Sequence, residues 1–292
     1  MNKKKSDLSL ICFMILSMLC YSIRDSICKG LSGTIPFSQI LILIGSIGSI
    51  VFFLTSSFLK VSLLNKEVRT LSFFFRTSCE LISTFCFIVA VVSVSLSSAS
   101  AVLQIAPILV IIGGKFFFNK KISLSNWILI CLIIIGVVMI LKFDFYDLNY
   151  NIFFAFVAVF FLAGKDLLTY SIASTVSPSV TCFWAFFSLT VAGLLCIPMF
   201  EPITVLGFEE YVLLGLSLIF CPLAYVLLVF ATREGNIAVV SPYRYTRLPF
   251  ALILSVIFFN GKIDLLALIG CILIVGAGFL LAIGSKKTSD QT

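Results

Sequence analysis

Near its C-terminal end the chain reads Ser241-Pro242-Tyr243-Arg244-Tyr245-Thr246-Arg247, with Pro249 two residues on. The two arginines are three apart, near one face of a helix, and a guanidinium suits bidentate capture of a carboxylate or phosphate. Tyr243 and Tyr245 add aromatic faces and hydroxyls, while Pro242 and Pro249 free carbonyls in the preceding turns and break the helix. Gln104 and Pro107 form a similar polar-plus-proline element earlier in the chain, without charges beside them. Arg76 and Glu80 are four apart, so one helix face carries both, either as a structural pair or as part of a site. Two basic-acidic dipeptides, Arg24-Asp25 and Lys165-Asp166, complete the set. This inventory serves recognition and charge pairing. The sequence has no histidine, and its ten cysteines make no CxxC pair. A metal site, a cofactor or an enzymatic centre therefore has little to be built from. Nothing resembles a phosphate-binding GxxxxGKS/T loop, so direct drive by ATP is not expected.

The elements that must carry these residues follow from composition. Of 292 residues, 61% are hydrophobic and 11% charged, and the mean hydropathy is +1.20. Soluble domains run at about 45–50% apolar and about 25% charged, so no water-facing surface can be made from this chain. A spanning helix needs about 20 apolar residues. Apolar runs between charged, proline or glycine punctuation predict ten spans, near 8–29, 36–58, 71–93, 97–118, 124–142, 151–171, 179–199, 210–231, 237–259 and 264–284. The ten cysteines all fall within them as small packing residues, and Gly45, Gly48, Gly270, Gly276 and Gly278 allow close helix approach within the chain.

Orientation follows from the positive charges, because Lys- and Arg-rich loops stay in the cytoplasm. With the N-terminus inside, eleven Lys and Arg fall on the inner side and three, Lys29, Lys142 and Lys262, on the outer. Both termini are thus expected in the cytoplasm of a bacterium, with the chain in its inner membrane. Lys3, Lys4 and Lys5 precede an apolar run that offers no small-residue cleavage site, so it reads as an uncleaved first helix. Six bases and the acids Asp25, Glu80 and Asp166 remain inside the spans, a net +3. Each such charge costs about 2.5–3.5 kcal/mol at the bilayer centre. The excess of bases favours a substrate with an anionic part, and the scattered basic residues form no stripe for nucleic acid.

The second half of the chain repeats the first. Arg24-Asp25 falls on Lys165-Asp166 and Phe118-Asn119 on Phe259-Asn260 at a spacing of 141 residues, and Pro36 falls on Pro178 at 142. A unit of five helices is odd, so its second copy must enter the membrane from the other side. Such inverted repeats place a site near the midplane, between the halves. Recurrence of the basic-acidic dipeptide near the outer end of the first span and the inner end of the sixth suggests gates that alternate. Snorkelling of helix-end charges to the headgroups is the plainer alternative.

With these features the chain resembles the drug/metabolite transporter superfamily, in particular permeases built from two EamA domains, here 1–145 and 146–292. The resemblance rests on five plus five helices, Arg76 in the third span, Pro107 in the fourth and the 241–247 segment in the ninth. That last segment is similar to a subgroup that includes S-adenosylmethionine uptake carriers. Family members commonly carry a Glu just after the fourth and ninth helices, where this chain has Asn119-Lys120 and Asn260-Gly261. The resemblance implies an all-α membrane carrier that moves a small polar metabolite by alternating access, as a monomer or homodimer in the lipid bilayer. Import of S-adenosylmethionine and export or exchange of other metabolites both fit, and any coupling would be to a proton or a counter-substrate. The expected substrate site comprises Arg244, Arg247, Tyr243, Tyr245, Gln104, Arg76 and Glu80. Arg24, Asp25, Lys165 and Asp166 are assigned to gating or coupling.

Overall fold

In lipid every backbone N–H and C=O must be satisfied within the segment, which leaves apolar runs of this length little choice but the helix. A computed structural model describes residues 7–31, 33–93, 102–118, 124–141, 152–172, 176–199, 203–235, 237–259 and 265–289, and among them the regular structure is entirely helical. The helices are α1 (Asp7–Leu31), α2 (Phe37–Phe58), α3 (Leu71–Ser93), α4 (Ala106–Phe118), α5 (Leu124–Leu141), α6 (Ile152–Ser171), α7 (Pro178–Cys196), α8 (Phe208–Glu234), α9 (237–259) and α10 (Leu265–Ser289). Six of them, α1, α2, α3, α6, α7 and α8, are long and apolar enough to cross a membrane; α4, α5 and α10 contribute shorter apolar helices. The junctions 119–123 and 260–264, where Asn119-Lys120 and Asn260-Gly261 stand, lie outside the described residues, as do Ser97 to Ala101.

Proline shapes four elements differently. Pro178 opens α7 at a first-turn position, where its missing N–H costs nothing. Pro107 is the second residue of α4, just after a turn at Gln104–Ile105. Pro222 lies inside α8, which continues through it. The predicted ninth span is instead divided into an α-helical turn Ile237–Val240, a 3-10 helix Ser241–Thr246 and an α-helix Arg247–Phe259. The break falls at Pro242 alone, since Pro249 sits in the first turn of the last segment, where the ring is tolerated.

Packing joins the two halves of the chain throughout. α2 lies against α7, α3 against α6, α1 against α8, and α5 against α10. Each pair runs antiparallel. A Cβ on Gly45 would meet the Thr190 backbone at 2.6 Å, and one on Gly193 would meet the Ser38 carbonyl at 3.0 Å. Likewise Gly136 faces the Gly270 carbonyl at 2.8 Å and Gly270 faces the Gly136 carbonyl at 2.7 Å. Replacing each helix by its counterpart five further along leaves this set of pairs unchanged. Two interhelical hydrogen bonds follow the same exchange. Ser17 Oγ on α1 donates to the Ala224 carbonyl on α8 at 2.7 Å, and Ser83 Oγ on α3 donates to the Ala158 carbonyl on α6 at 2.8 Å. Ser17 and Ala158 are 141 residues apart, as are Ser83 and Ala224. The outer surface is apolar, with Phe53, Phe58, Phe116, Phe117, Phe153 and Phe160 all exposed. A patch of that character requires a lipid or protein partner.

Candidate substrate cavity

All but one of the charges that the sequence places inside the spans gather in one region, in two sets of ion pairs; Lys115 stands apart, exposed, with Nζ 5.9 Å from the centre of the Trp127 ring. Arg76 is fully buried on α3. Its Nη2 donates to Glu80 Oε2 at 2.7 Å one turn on, also to the Tyr225 hydroxyl on α8, and its Nε to Thr169 Oγ1 on α6 at 3.3 Å. Tyr225 in turn donates to Glu80 Oε2 at 2.6 Å. The other oxygen of Glu80 accepts from Lys165 Nζ at 3.4 Å, which lies 3.6 Å from Asp166 Oδ1. Removing one member of so buried a set would leave an uncompensated charge; of the Arg76 nitrogens only Nη1 is buried without a hydrogen-bond partner.

Segment 241–247 supplies the remaining partners. At three residues per turn, a 3-10 helix stacks Ser241, Arg244 and Arg247 along one line. Arg244 Nη1 donates to Asp166 Oδ2 across to α6. Arg247 donates to Asp25 Oδ2 on α1 through Nη2 and, at 3.1 Å, through Nε. The adjacent Arg24 makes only a looser contact with Asp25, 3.4 Å from Nε to Oδ1. The stronger partner of Asp25 is thus Arg247 on another helix, as helix geometry requires, since neighbours in sequence point about 100° apart. Arg24 and Arg247 both lie against the Tyr21 ring, at 5.7 and 5.2 Å from its centre. Five bases, Arg24, Arg76, Lys165, Arg244 and Arg247, therefore face only three acids, Asp25, Glu80 and Asp166, which leaves two positive charges unbalanced.

This network borders a cavity of about 200 Å³ walled by α1 to α4, the turn before α4, and α6 to α9. Among the expected substrate residues, Arg244, Arg247, Gln104 and Glu80 reach its wall, together with Pro107 and with Arg24 and Lys165 from the gating set. Arg76 stands behind Glu80. Tyr243 and Tyr245 lie off the wall, because the 3-10 pitch turns them to the flanks of the arginine line. Tyr243 packs edge-on against Phe279, with ring centres 5.2 Å apart, and Tyr245 is buried against Gly278 of α10.

The wall itself is built from repeat counterparts. Tyr21 and Leu162, Arg24 and Lys165, Glu80 and Cys221, Thr84 and Tyr225, Phe87 and Leu228, Leu103 and Arg244, and Ala106 and Arg247 all line it, and each pair is 141 residues apart. The two basic-acidic dipeptides differ in exposure. Arg24 and Asp25 show 20% and 32% of their side chains to solvent, Lys165 and Asp166 only 5% and 4%. Tyr21, Thr84, Cys221 and Tyr225 are wall residues that motif reading passed over. Tyr225 carried a signal nonetheless: a phenol in the middle of an apolar span, three residues after Pro222.

Known proteins give the same division. The family model described as the EamA-like transporter family matches twice, over residues 8–142 and 149–283, with starts 141 residues apart. The "Pseudopaline exporter CntI" of Pseudomonas aeruginosa strain UCBPP-PA14 is 23% identical over 276 residues, covering 93% of this chain and 95% of that protein. The protein of the same name from strain PAO1 matches equally. A chain from a solved crystal structure superposes with a TM-score of 0.78 at 15% identity, covering 97% of this chain and 99% of that one, which establishes likeness of fold. A cavity walled by repeat counterparts, inside helices that two copies of one family model account for, places this chain in the EamA-like transporter family.

Proposed function

We propose that the protein is a secondary carrier that moves a small polar metabolite with an anionic part across the cytoplasmic membrane by alternating access. Ten spans form two inverted five-helix repeats, with both termini in the cytoplasm. The observation that carries the substrate class is the surplus of two positive charges beside the cavity, with Arg244 and Arg247 in line on its wall. A carboxylate or phosphate would compete with Asp166 and Asp25 for these arginines, so loading and unlocking would be one event. Tyr21, Phe87 and Phe186 supply apolar wall for the rest of the molecule.

The unequal exposure of the two dipeptides fits the gating assignment. With the N-terminus inside, Arg24-Asp25 lies toward the outside and Lys165-Asp166 toward the cytoplasm, so this conformation is open outward and sealed inward. The seal would be the Asp166–Arg244 pair over the apolar contacts of Leu10, Met14 and Val240. Exchange of the two repeats' conformations would bury the first dipeptide and open the second.

Export is the direction favoured by the pseudopaline exporters, whose similarity spans almost their whole length. S-adenosylmethionine remains a candidate on the similarity of the 241–247 segment, but its sulfonium cation suits a positively charged wall poorly. Counterflow in proteoliposomes decides. A panel of S-adenosylmethionine, amino acids, riboflavin and phosphorylated sugars is tested for saturable exchange, and anionic members are expected to exchange. Leakage without saturation would mark a channel, and no flux of any member would remove the carrier reading.

A further inference from the structure

We infer that Arg24 is a second anion-binding point in the cavity, so that the carried molecule bears two anionic groups, one for Arg24 and one for Arg244 or Arg247. The inference rests on the cavity being the carrier's substrate site, as proposed above, and goes further by fixing the substrate as a dianion.

It comes from a difference between repeat counterparts. Lys165 on α6 and Arg24 on α1 occupy equivalent wall positions. Lys165 faces Glu80, with Nζ 3.4 Å from Oε1. The residue equivalent to Glu80 on α8 is Cys221, also on the wall and beside Arg24, and it brings no charge. The only carboxylate contacting Arg24 among the described residues is Asp25, whose Oδ2 is already engaged by two guanidinium nitrogens of Arg247. Arg24 Nε is moreover buried without a hydrogen-bond partner. A guanidinium presents five donors, and one with a shared counter-ion and an orphaned Nε is short of acceptors. The matching surplus at the far side comes from the opposite asymmetry, where Arg244 and Arg247 stand in place of Leu103 and Ala106. The second repeat therefore has Cys221 for the acid Glu80, Ser217 for the base Arg76, and two extra bases, and the resulting excess of two charges is what a dianion would neutralise.

The test uses full-length protein purified in detergent, with thermal unfolding followed against propionate, succinate, glutarate and adipate at constant ionic strength. At least one dicarboxylate is expected to half-saturate at a concentration tenfold or more below propionate. That advantage should fall below threefold in Arg24→Gln. It should also fall in Cys221→Glu, where the new carboxylate takes Arg24 as Glu80 takes Lys165. Arg24→Lys should restore part of it, and if Cys221→Glu does not fold the Arg24 variants decide alone. Equal concentrations for propionate and all three dicarboxylates, or an advantage that survives Arg24→Gln, would overturn the inference while leaving the Arg244/Arg247 site intact. Failure of every carboxylate to raise the unfolding temperature would overturn both.

Discussion

Arg244 on the 3-10 segment of α9 holds Asp166 on α6, joining residues 78 apart in the chain at the end of the cavity proposed to face the cytoplasm. Neither residue has room to solvate its charge, with side-chain exposures of 11% and 4%. Arg244→Ala therefore removes the proposed substrate contact and also leaves the buried Asp166 with only the looser contact of Lys165, a loss of up to about 3–5 kcal/mol. The double variant Arg244→Ala with Asp166→Asn should recover most of the unfolding temperature and none of the counterflow. Arg247→Ala, whose partner Asp25 is more exposed, should abolish counterflow at a smaller thermal cost. Unchanged transport in both single variants would remove these arginines from the site.

A related prediction concerns which base Asp25 serves. Arg247 gives it two hydrogen bonds, Arg24 one looser contact. Exchanging the charges as Asp25→Arg with Arg247→Asp should therefore keep a higher unfolding temperature than Asp25→Asn, although neither the exchange nor Arg247→Ala is expected to transport. The local exchange Arg24→Asp with Asp25→Arg should do worse than Asp25→Asn, because it sets an arginine against Arg247. Equal unfolding temperatures of the two exchanges would show that the charges act through the local field and not as a specific pair.

Arg76 and Glu80 were legible as a pair because helix spacing alone brings residues four apart together. The spacing of 141 was legible for a similar reason: Arg24-Asp25 and Lys165-Asp166 are rare types in an apolar chain and stand out when one half is laid on the other. Arg244 and Arg247 were legible as unneutralised by their own helix, but their partners were not, because Asp166 and Asp25 reach them only through tertiary packing. Tyr243 and Tyr245 were misplaced on the wall for a local reason. A proline can kink an α-helix or tighten it into a 3-10 turn: the first would leave Tyr243 about 40° from Arg247, while the second aligns both arginines and turns both tyrosines about 120° away from them. Tyr225 went unread because its meaning depends on Glu80 and Arg76, both about 145 residues away.

That phenol provides the next prediction. Tyr225 donates to Glu80 and accepts from Arg76, so Tyr225→Phe leaves both short of a partner while keeping the ring packed on Phe186. The cost should be about 1–3 kcal/mol, read as a lower unfolding temperature. Glu80→Gln should cost more, since it leaves the wholly buried Arg76 without its carboxylate and Lys165 without one of two. A Tyr225→Phe variant less stable than Glu80→Gln would show that the hydroxyl link from α8, and not the ion pairing of Glu80 with Arg76 and Lys165, dominates the stability of this network.

Helix approach gives a prediction with a built-in control. A Cβ at position 45 would fall 2.6 Å from both the Thr190 backbone nitrogen and its Oγ1, and backbone cannot move aside cheaply. At Gly215 and Gly276 nothing lies within 4 Å. Gly45→Ala should therefore separate α2 from α7 and lower the unfolding temperature markedly. Gly215→Ala and Gly276→Ala should raise it slightly, by removing glycine's entropic cost within a helix, about 0.5–1 kcal/mol. Equal effects at all three positions would mean that the α2–α7 contact does not limit stability.

The sign of the field in the cavity can be read at a native thiol. Cys221 lines the wall, and a protein in which the other nine cysteines are replaced by alanine or serine reports on that position alone. Two membrane-impermeant methanethiosulfonates, one carrying a sulfonate and one a quaternary ammonium, are applied from outside, and each rate is divided by its rate with a free thiol in solution. Two unbalanced positive charges beside an apolar wall repel a cation and attract an anion, and the low local dielectric strengthens both effects. The sulfonate reagent should thus react faster after normalisation, and raised salt should narrow the ratio to the extent that solvent reaches the charges. Access from outside and not from the cytoplasm is expected in the conformation described, because the Asp166–Arg244 pair closes the inner end. A faster ammonium reagent would contradict the anionic substrate class, while reaction from the cytoplasmic side alone would contradict the assignment of which end is sealed.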